Sequence, residues 1–204
     1  MADVRKTVRA LASRNFETYY VETKEDALQL VLSLIPAGSK VSTGGSKTLA
    51  ETGIIDALKE GDYDFRPHGV SWITKEEDNA NMHFAFSADY YLMSSNAITE
   101  QGELYNIDGV GNRVAALAWG PDHVIIVAGV NKIVADLDEA EKRLVTVAVP
   151  QNLRRLGLEA PCLELGRCVD CRSFGRLCAE KQVTAYSRFP ERIIVVLVNE
   201  ELGF

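Results

Sequence analysis

The chain has 204 residues, enough for one domain with a sizeable core, and 47% of them are apolar and 25% charged, as in ordinary globular proteins. Its formal net charge of -7 at pH 7 would repel nucleic-acid phosphates and anionic lipid, so neither nucleic acid nor a membrane is an expected partner. The longest apolar runs, around Val124–Val130 and Ile193–Val198, are too short to span a bilayer, and no secretory signal is recognisable. We therefore expect a cytoplasmic protein, in which structural disulfides are rare.

Helical and strand-like patterns alternate through the first half of the chain. Thr23 and Asp26 come close to a capping box, which favours a helix start at that point. In chain order, the predicted elements are an amphipathic N-terminal helix within residues 1–20, a helix that Thr23 begins and Pro36 ends, a strand over Ser39–Thr43, a helix from about Lys47 to Glu60, a weak strand over Asp64–His68, a helix over Thr74–Phe86 and a strand over Asp89–Ser94.

The second half continues the same alternation. Its predicted elements are a turn at Thr99–Gly102, a strand over Leu104–Ile107, a helix from Asn112 to Gly120, a strand over His123–Gly129, a long helix capped by Asp136 and broken or kinked at Pro150, a cysteine-rich insert over residues 160–180 and a strand over Arg192–Val198. The unbroken apolar run of His123–Gly129 is typical of a parallel strand buried on both faces. The pattern predicts one α/β domain over residues 1–204 with a parallel-rich sheet flanked by helices, in which ligands bind beyond the carboxyl ends of the strands.

The first candidate site lies where a strand passes into a helix, over Val41–Thr48. Two adjacent glycines let the backbone turn tightly and approach a ligand closely, and the helix start offers unpaired N–H groups. With the neighbouring hydroxyls and a lysine, the segment suits a phosphate or a carboxylate, although its spacing is neither that of a Walker A loop nor G-x-G-x-x-G. The alternative is a helix cap made of turn-forming residues. The candidate ligand-binding residues are Gly44, Gly45, Ser46, Lys47, Thr48 and Glu51.

The second candidate site lies within Asn96–Arg113, a segment rich in glycine, asparagine and acidic residues. Thr99–Gly102 is ordinary turn chemistry, whereas Asp108–Asn112 leads directly into an apolar helix. We expect Asn112 to cap that helix and Arg113 to lie in its first turn, so that amides and one guanidinium would flank a ligand. The alternative is that these polar residues only shape a tight turn.

The third candidate site is a group of four cysteines, two of which form a Cys-x-x-Cys pair. Such a group can supply four thiolates to one zinc ion or one iron–sulfur cluster, and three nearby arginines would offset their charge. A redox-active dithiol at Cys168 and Cys171, or reduced cysteines that only pack, are the alternatives. The candidate metal ligands are Cys162, Cys168, Cys171 and Cys178.

Other catalytic signatures are missing from the sequence. The histidines His68, His83 and His123 are far apart, and none forms an obvious pair with a base or a nucleophile. No nucleophile elbow and no paired-carboxylate motif is recognisable. The sequence therefore indicates a ligand pocket more clearly than it indicates a reaction.

Four segments of the sequence resemble the LUD domain family, the lactate-utilisation domain of lutC/ykgG-type proteins. They are Thr43–Gly53, Ser95–Ala116, Val124–Val134 and Cys168–Cys171. The resemblance implies the fold of the sugar-isomerase, deaminase and CoA-transferase superfamily (NagB/RpiA/CoA-transferase-like), whose first glycine-rich loop binds phosphate or acyl groups. It implies the same role for Gly44, Gly45, Ser46 and Thr48, and it implies that a second set of residues faces the same pocket. That set is Asn96, Thr99, Glu100, Asp108, Asn112 and Arg113.

The resemblance also implies a role in L-lactate oxidation, carried out by complexes with iron–sulfur partners. The chain lacks the long ferredoxin-like extension of the iron–sulfur subunit, so we expect it to bind an anionic carboxylate or phosphate as an enzyme subunit or accessory of such a system. The cysteines would hold an iron–sulfur cluster or zinc, and iron–sulfur proteins or a second copy of the chain are candidate partners. A metabolite-sensing module without catalytic activity is the alternative.

Overall fold

The computed structural model describes residues 3–204 and contains an α/β fold with two sheets. The larger sheet has six strands, all parallel, in the order β1-β10-β7-β4-β2-β3. The parallel-rich sheet flanked by helices that the sequence predicts is therefore confirmed. Its strands are β1 (Glu17–Val21), β2 (Lys40–Thr43), β3 (Asp64–Pro67), β4 (Tyr90–Met93), β7 (His123–Gly129) and β10 (Ile193–Val198).

The smaller sheet has four short strands in the order β8-β5-β6-β9. β5 is antiparallel to β6 and parallel to β8, and β6 is antiparallel to β9. Only β6 was predicted, because its three neighbours are too short or too polar to show a strand pattern. The four strands are β5 (Ala97–Thr99), β6 (Leu104–Asp108), β8 (Ile133–Val134) and β9 (Glu180–Thr184).

Helices cover both faces of the large sheet, and none among residues 3–204 is long and apolar enough to cross a membrane. Short 3₁₀ turns follow α5 and β7 at Ala85–Ser87 and Val130–Lys132, and a π-helical turn at Leu144–Ala148 joins α7 to α8. The α-helices are α1 (Val4–Ser13), α2 (Lys24–Leu34), α3 (Lys47–Glu51), α4 (Ile54–Glu60), α5 (Lys75–Phe84), α6 (Asn112–Ala118), α7 (Leu137–Arg143), α8 (Val149–Leu156) and α9 (Pro161–Leu165).

The core lies on both sides of β7, as the apolar run of this strand predicts. Val124 and Ile126 point into a cluster with α1 and α6, whereas Ile125 and Val127 point into a cluster with α2, α3 and α4. All four side chains are fully buried. A slip by one residue would move each of these side chains into the opposite cluster and disturb the close packing on both faces. The carboxyl end of β7 is therefore held in a defined position.

Three predicted elements differ from the structure, each for a local backbone reason. The N-terminal helix, predicted within residues 1–20, ends at Ser13, because Asn15 has a positive φ of 61° and the following residues pair as β1 with β10. Met1 and Ala2 lie outside the described residues. The helix predicted over Lys47–Glu60 is two helices, because Gly53 adopts a left-handed conformation with φ 73° between them. The break expected at Pro150 is absorbed by the π-helical turn before it.

The turn between β5 and β6 contacts the backbone of α1 directly, and Gly102 makes this possible. A Cβ at Gly102 would lie 2.7 Å from the carbonyl carbon of Ala10, and Gly102 also has a positive φ of 85°. Gly157 has a similar φ of 64° but no atom within 4 Å of its Cβ position. A comparison of substitutions at these two glycines therefore separates the effect of the close contact from the effect of the left-handed backbone conformation.

We expect Gly102→Ala to lower the free energy of unfolding by about 3 kcal/mol, since it adds overpacking to the left-handed strain. Gly157→Ala should lower it by only about 1 kcal/mol, the cost of the strain alone. Urea denaturation of the two variants measures both values. Equal losses would contradict the contact between the turn and α1.

Candidate functional site

A cavity of about 440 Å³ opens beyond the carboxyl ends of three adjacent strands, β2, β4 and β7. The turn after β2 supplies Gly45 and Ser46, the turn after β4 supplies Ser94 and Asn96, and the turn after β7 supplies Lys132. The carboxyl edge is where parallel α/β sheets bind ligands. A second hollow of about 830 Å³ adjoins the cavity and shares several of its lining residues, which include Gly45, Ser46, Lys47, His68, Gly69, Arg155 and Phe204.

The structure brings most of the predicted ligand-binding residues together. The two segments predicted to form one pocket converge, because a Cβ at Gly44 would lie 3.2 Å from Cδ of Arg113 and 2.8 Å from the hydroxyl of Tyr91. Only glycine allows this approach at Gly44. The predicted residues that line the cavity are Gly45, Ser46, Lys47, Thr48, Asn96, Asp108, Asn112 and Arg113, and Gly44 lines the adjoining hollow.

Three of the predicted residues lie elsewhere among residues 3–204. Thr99 is buried against Glu103, and Glu100 forms an ion pair of 2.8 Å with Lys6 on α1. Both therefore hold the turn after β5 in place, outside the cavity lining. Glu51 accepts a hydrogen bond from the backbone N–H of Gly203 at 2.6 Å and pairs with Lys47 at 3.3 Å, so it lies beside the cavity rather than in its wall.

Most of the hydrogen-bonding capacity of the Arg113 guanidinium is used by the protein. Its Nη1 donates to the carbonyl of Ser94 at 3.1 Å and to Oδ1 of Asn106 at 2.7 Å. Its Nη2 donates to Oδ1 of Asn96 at 2.8 Å and to the carbonyl of Ile107. Four of its five N–H donors are therefore used. Arg113 supplies a fixed positive charge to the cavity, but it has little left with which to grip a ligand.

The helix cap beside Arg113 differs from the one predicted. Asn112 was expected to cap α6, but it is the first residue of the helix, and Gly111 precedes it with φ 84°. The carboxylate of Asp108 takes the capping role, because its Oδ2 accepts hydrogen bonds from the N–H groups of Arg113 (3.1 Å) and Val114 (3.2 Å). Asn112 and Asp108 nevertheless both line the cavity.

The residue that the sequence analysis missed is Lys132, whose side chain lies at the base of the cavity. It is only 2% exposed, and its Nζ donates to Oγ1 of Thr48 at 2.9 Å and to Oγ of Ser94 at 2.7 Å. Within the described chain no carboxylate forms an ion pair with it. A buried lysine is normally paired with an acid, so this one is unusual. Its signal in the sequence is a lysine three residues after the long apolar strand His123–Gly129.

Burial, together with the smaller effects of the charges of Arg143 and Arg113, lowers the pKa of Lys132 from 10.5 to about 7, although the charge of Glu51 opposes the shift. Arg143 is held close by hydrogen bonds to the carbonyl oxygens of Asn131 (3.3 Å) and Asn96 (2.9 Å). Guanidinium groups keep their protons, so the amine is the group that loses its proton in this positive environment. Near neutral pH the amine of Lys132 is therefore present in both protonation states.

A histidine–carboxylate pair lies in the wall of the cavity, and its histidine, His68, also lines the adjoining hollow. Nδ1 of His68 is 2.9 Å from Oδ1 of Asp78, and the same oxygen accepts a hydrogen bond from the N–H of Gly69 at 2.8 Å. The sequence does not reveal this partner of His68, since Asp78 is ten residues away on α5. The bond occupies Nδ1 and leaves Nε2 as the nitrogen through which His68 can exchange a proton with a ligand.

The four cysteines lie in and after α9 and form no disulfide. Arg176 organises the segment by donating to the carbonyl oxygens of Cys171 (2.6 Å) and Cys178 (3.0 Å). Burial raises the pKa of Cys162, and the charges of Cys171, Cys178 and Cys168 raise it further. Across residues 3–204, however, no three cysteine, histidine or acidic side chains are arranged to hold a metal ion.

Comparison with known proteins identifies a family and several similar solved structures. The family model described as "LUD domain" matches residues 4–198. A DUF162 family protein from Deinococcus radiodurans is 14% identical with a TM-score of 0.52, and the alignment covers 96% of each chain. The eIF2B beta structure from Chaetomium thermophilum is 16% identical with a TM-score of 0.40, over 57% of this chain and 44% of that one. No curated protein matches the chain.

The unpaired amine of Lys132 predicts a specific pH dependence of stability. Between the folded pKa of about 7 and the ordinary value of 10.5, the unfolded chain binds a proton at this residue that the folded chain has released. The folded state is therefore favoured as the pH rises through this window, by at most about 1.4 kcal/mol per pH unit. Below pH 7 both states are protonated, and the cost of burying the charge is fully present.

We expect the free energy of unfolding of the wild type to rise between pH 7 and pH 9 relative to that of Lys132→Met, which has no titrating group at this position. Urea denaturation at three pH values measures the difference, and Lys142→Met, at an exposed lysine, is the matched control. Parallel pH profiles for the wild type and Lys132→Met would contradict an amine buried without a carboxylate.

Proposed function

Because the chain belongs to the LUD domain family, which is associated with lactate utilisation, we propose that its cavity binds a small anionic metabolite, a carboxylate or a phosphate. The observation that carries this proposal is the buried amine of Lys132, which has two hydroxyl partners and, within residues 3–204, no carboxylate partner. A bound anion would supply the missing negative charge. The volume of about 440 Å³ is in the range of pockets for small molecules.

The balance of charge in the cavity wall also favours an anion. Both acidic side chains of the wall are engaged with the protein, since Asp78 binds His68 and Asp108 caps α6. The negative charges of these two side chains are therefore partly neutralised, and the basic groups of the wall outnumber the acidic ones. The basic residues of the wall are Lys47, Arg113, Lys132 and Arg155.

We further propose that the chain acts as an enzyme subunit or accessory of an iron–sulfur-dependent system that oxidises L-lactate. The pair of His68 with Asp78 supports a catalytic role over pure sensing, because a histidine oriented by a carboxylate can accept or donate a proton next to a bound ligand. The four cysteines support contact with redox partners, since thiolates are the ligands of zinc and of iron–sulfur clusters.

The affinity for L-lactate should fall as the pH rises, because the lactate carboxylate stays ionised while Lys132 loses its proton. We expect dissociation constants about tenfold higher at pH 8 than at pH 6, as follows from a pKa of about 7. Isothermal titration calorimetry measures both values. Lys132→Met should bind weakly at either pH, and Lys142→Met should behave like the wild type.

Equal affinity of the wild type at the two pH values, or tight binding by Lys132→Met, would contradict an anion site at this amine. Inorganic phosphate and acetate, titrated in parallel, distinguish a phosphate site from a carboxylate site. A folded Lys132→Met protein is recognised by its circular dichroism spectrum and by cooperative unfolding.

The cysteines generate a separate prediction about metal content. A metal ion held by all four would need residues 166–179, which are largely irregular, to draw the thiols together. Protein purified without oxygen should then contain about one zinc ion or one iron–sulfur cluster per chain, the latter visible by its absorbance. Cys168→Ser with Cys171→Ser should remove it, whereas Ser173→Ala should not. Colourless protein with no bound metal would contradict the proposal.

A further inference from the structure

The hydrogen bonds around Lys132 leave one position on its nitrogen for a ligand. Nζ is bonded to its own side chain and donates to Thr48 and to Ser94 at 2.9 and 2.7 Å. The hydroxyl proton of Thr48 is directed to the carbonyl of Leu202 at 3.4 Å, so the oxygen of Thr48 accepts from the lysine. A tetrahedral nitrogen then has one position left, which holds a third proton in the ammonium form and a lone pair in the amine form.

The surroundings of Lys132 favour the form with the lone pair. Arg113 and Lys132 bind the same residue, because Nη1 of Arg113 donates to the carbonyl of Ser94 while Nζ donates to its hydroxyl. Arg143 donates to the carbonyl of Asn131, directly before Lys132. Two guanidinium groups are thus held beside a desolvated amine, and cationic neighbours together with burial are what activate a lysine as a nucleophile.

We propose that Nζ of Lys132 attacks the carbonyl carbon of a small oxo acid bound in the cavity and forms an imine with it. The proposal rests on the proposed function, since it places the anionic ligand in the same cavity. Amines react with carbonyl groups, and the positive wall attracts a carboxylate, so one small molecule that carries both groups fits the site best.

The reaction is balanced without any further reactant. The nitrogen lone pair forms the N–C bond, the electron pair of the carbonyl double bond moves to oxygen, and one nitrogen proton is transferred to that oxygen, which gives a carbinolamine. The hydroxyl group then leaves with the second nitrogen proton as water, while the nitrogen lone pair forms the C=N bond. Ser94 and Thr48 contact Nζ and are placed to relay both protons.

The test traps the imine by reduction. Protein is incubated with pyruvate or glyoxylate and sodium cyanoborohydride at pH 6 and pH 8, and the mass of the intact chain and of its peptides is measured. We expect one adduct per chain, with the mass of the oxo acid less one oxygen atom, located at Lys132. It should form at least about tenfold faster than at the exposed Lys142, because burial and two neighbouring guanidinium groups activate Lys132 as a nucleophile, and more slowly at pH 6.

Controls separate this chemistry from unspecific labelling. L-lactate and acetate, which lack a reactive carbonyl group, should give no adduct, and Lys132→Met should lose the fast adduct, whereas Lys142→Met should keep it. The peptide map of the wild type decides the question even if Lys132→Met fails to fold. Adduct formation at Lys132 at the rate of exposed lysines would overturn the proposal.

The outcomes also distinguish imine formation from the anion binding on which it rests. If L-lactate or pyruvate binds with the pH dependence described above and no adduct forms, the imine is excluded and the anion site stands. If none of these anions binds and no adduct forms, both proposals fail. A fast adduct confined to Lys132 supports both.

Discussion

The central physical constraint of this structure is an amine buried without a carboxylate. Lys132 lies in the turn that follows the buried strand β7, and its side-chain partners among residues 3–204 are two neutral hydroxyls. Removing a charged ammonium from water without a counter-charge is costly, so the protein has to hold this amine near its point of deprotonation or let a ligand provide the charge. In either case, the chemistry of the cavity is centred on Nζ of Lys132.

The fold fixes the amine through three neighbouring strands. Thr48 follows β2, Ser94 follows β4 and Lys132 follows β7, and these strands are adjacent in the parallel sheet. Arg113 ties the same turns together, since its guanidinium binds Ser94, Asn96 and Asn106, and Gly44 leaves the room that its side chain needs. The two cations therefore have different tasks. Arg113 is a permanent charge engaged by the protein, and Lys132 is the group that can exchange a proton or bind a ligand.

The parts of the fold that depend on local sequence could be predicted, and the base of the site could not. The run of His123–Gly129 shows a doubly buried strand, and Thr23 with Asp26 forms the capping box that the sequence indicates. The contacts of Lys132, in contrast, join residues 84 and 38 positions apart, and no local pattern reports them. The same holds for His68 and Asp78, which meet only because β3 and α5 pack together. Strands as short as β8, with two residues, carry no periodicity at all.

The most direct test of this account is the pKa of Lys132 itself, measured by NMR titration of protein labelled with ¹³C at the lysine Cε, with the resonance assigned by its loss in Lys132→Met. We expect a midpoint near 7, well below the ordinary lysine value of 10.5. A midpoint near 10.5 would show that the amine has found a counter-charge or water, and the central claim would be wrong.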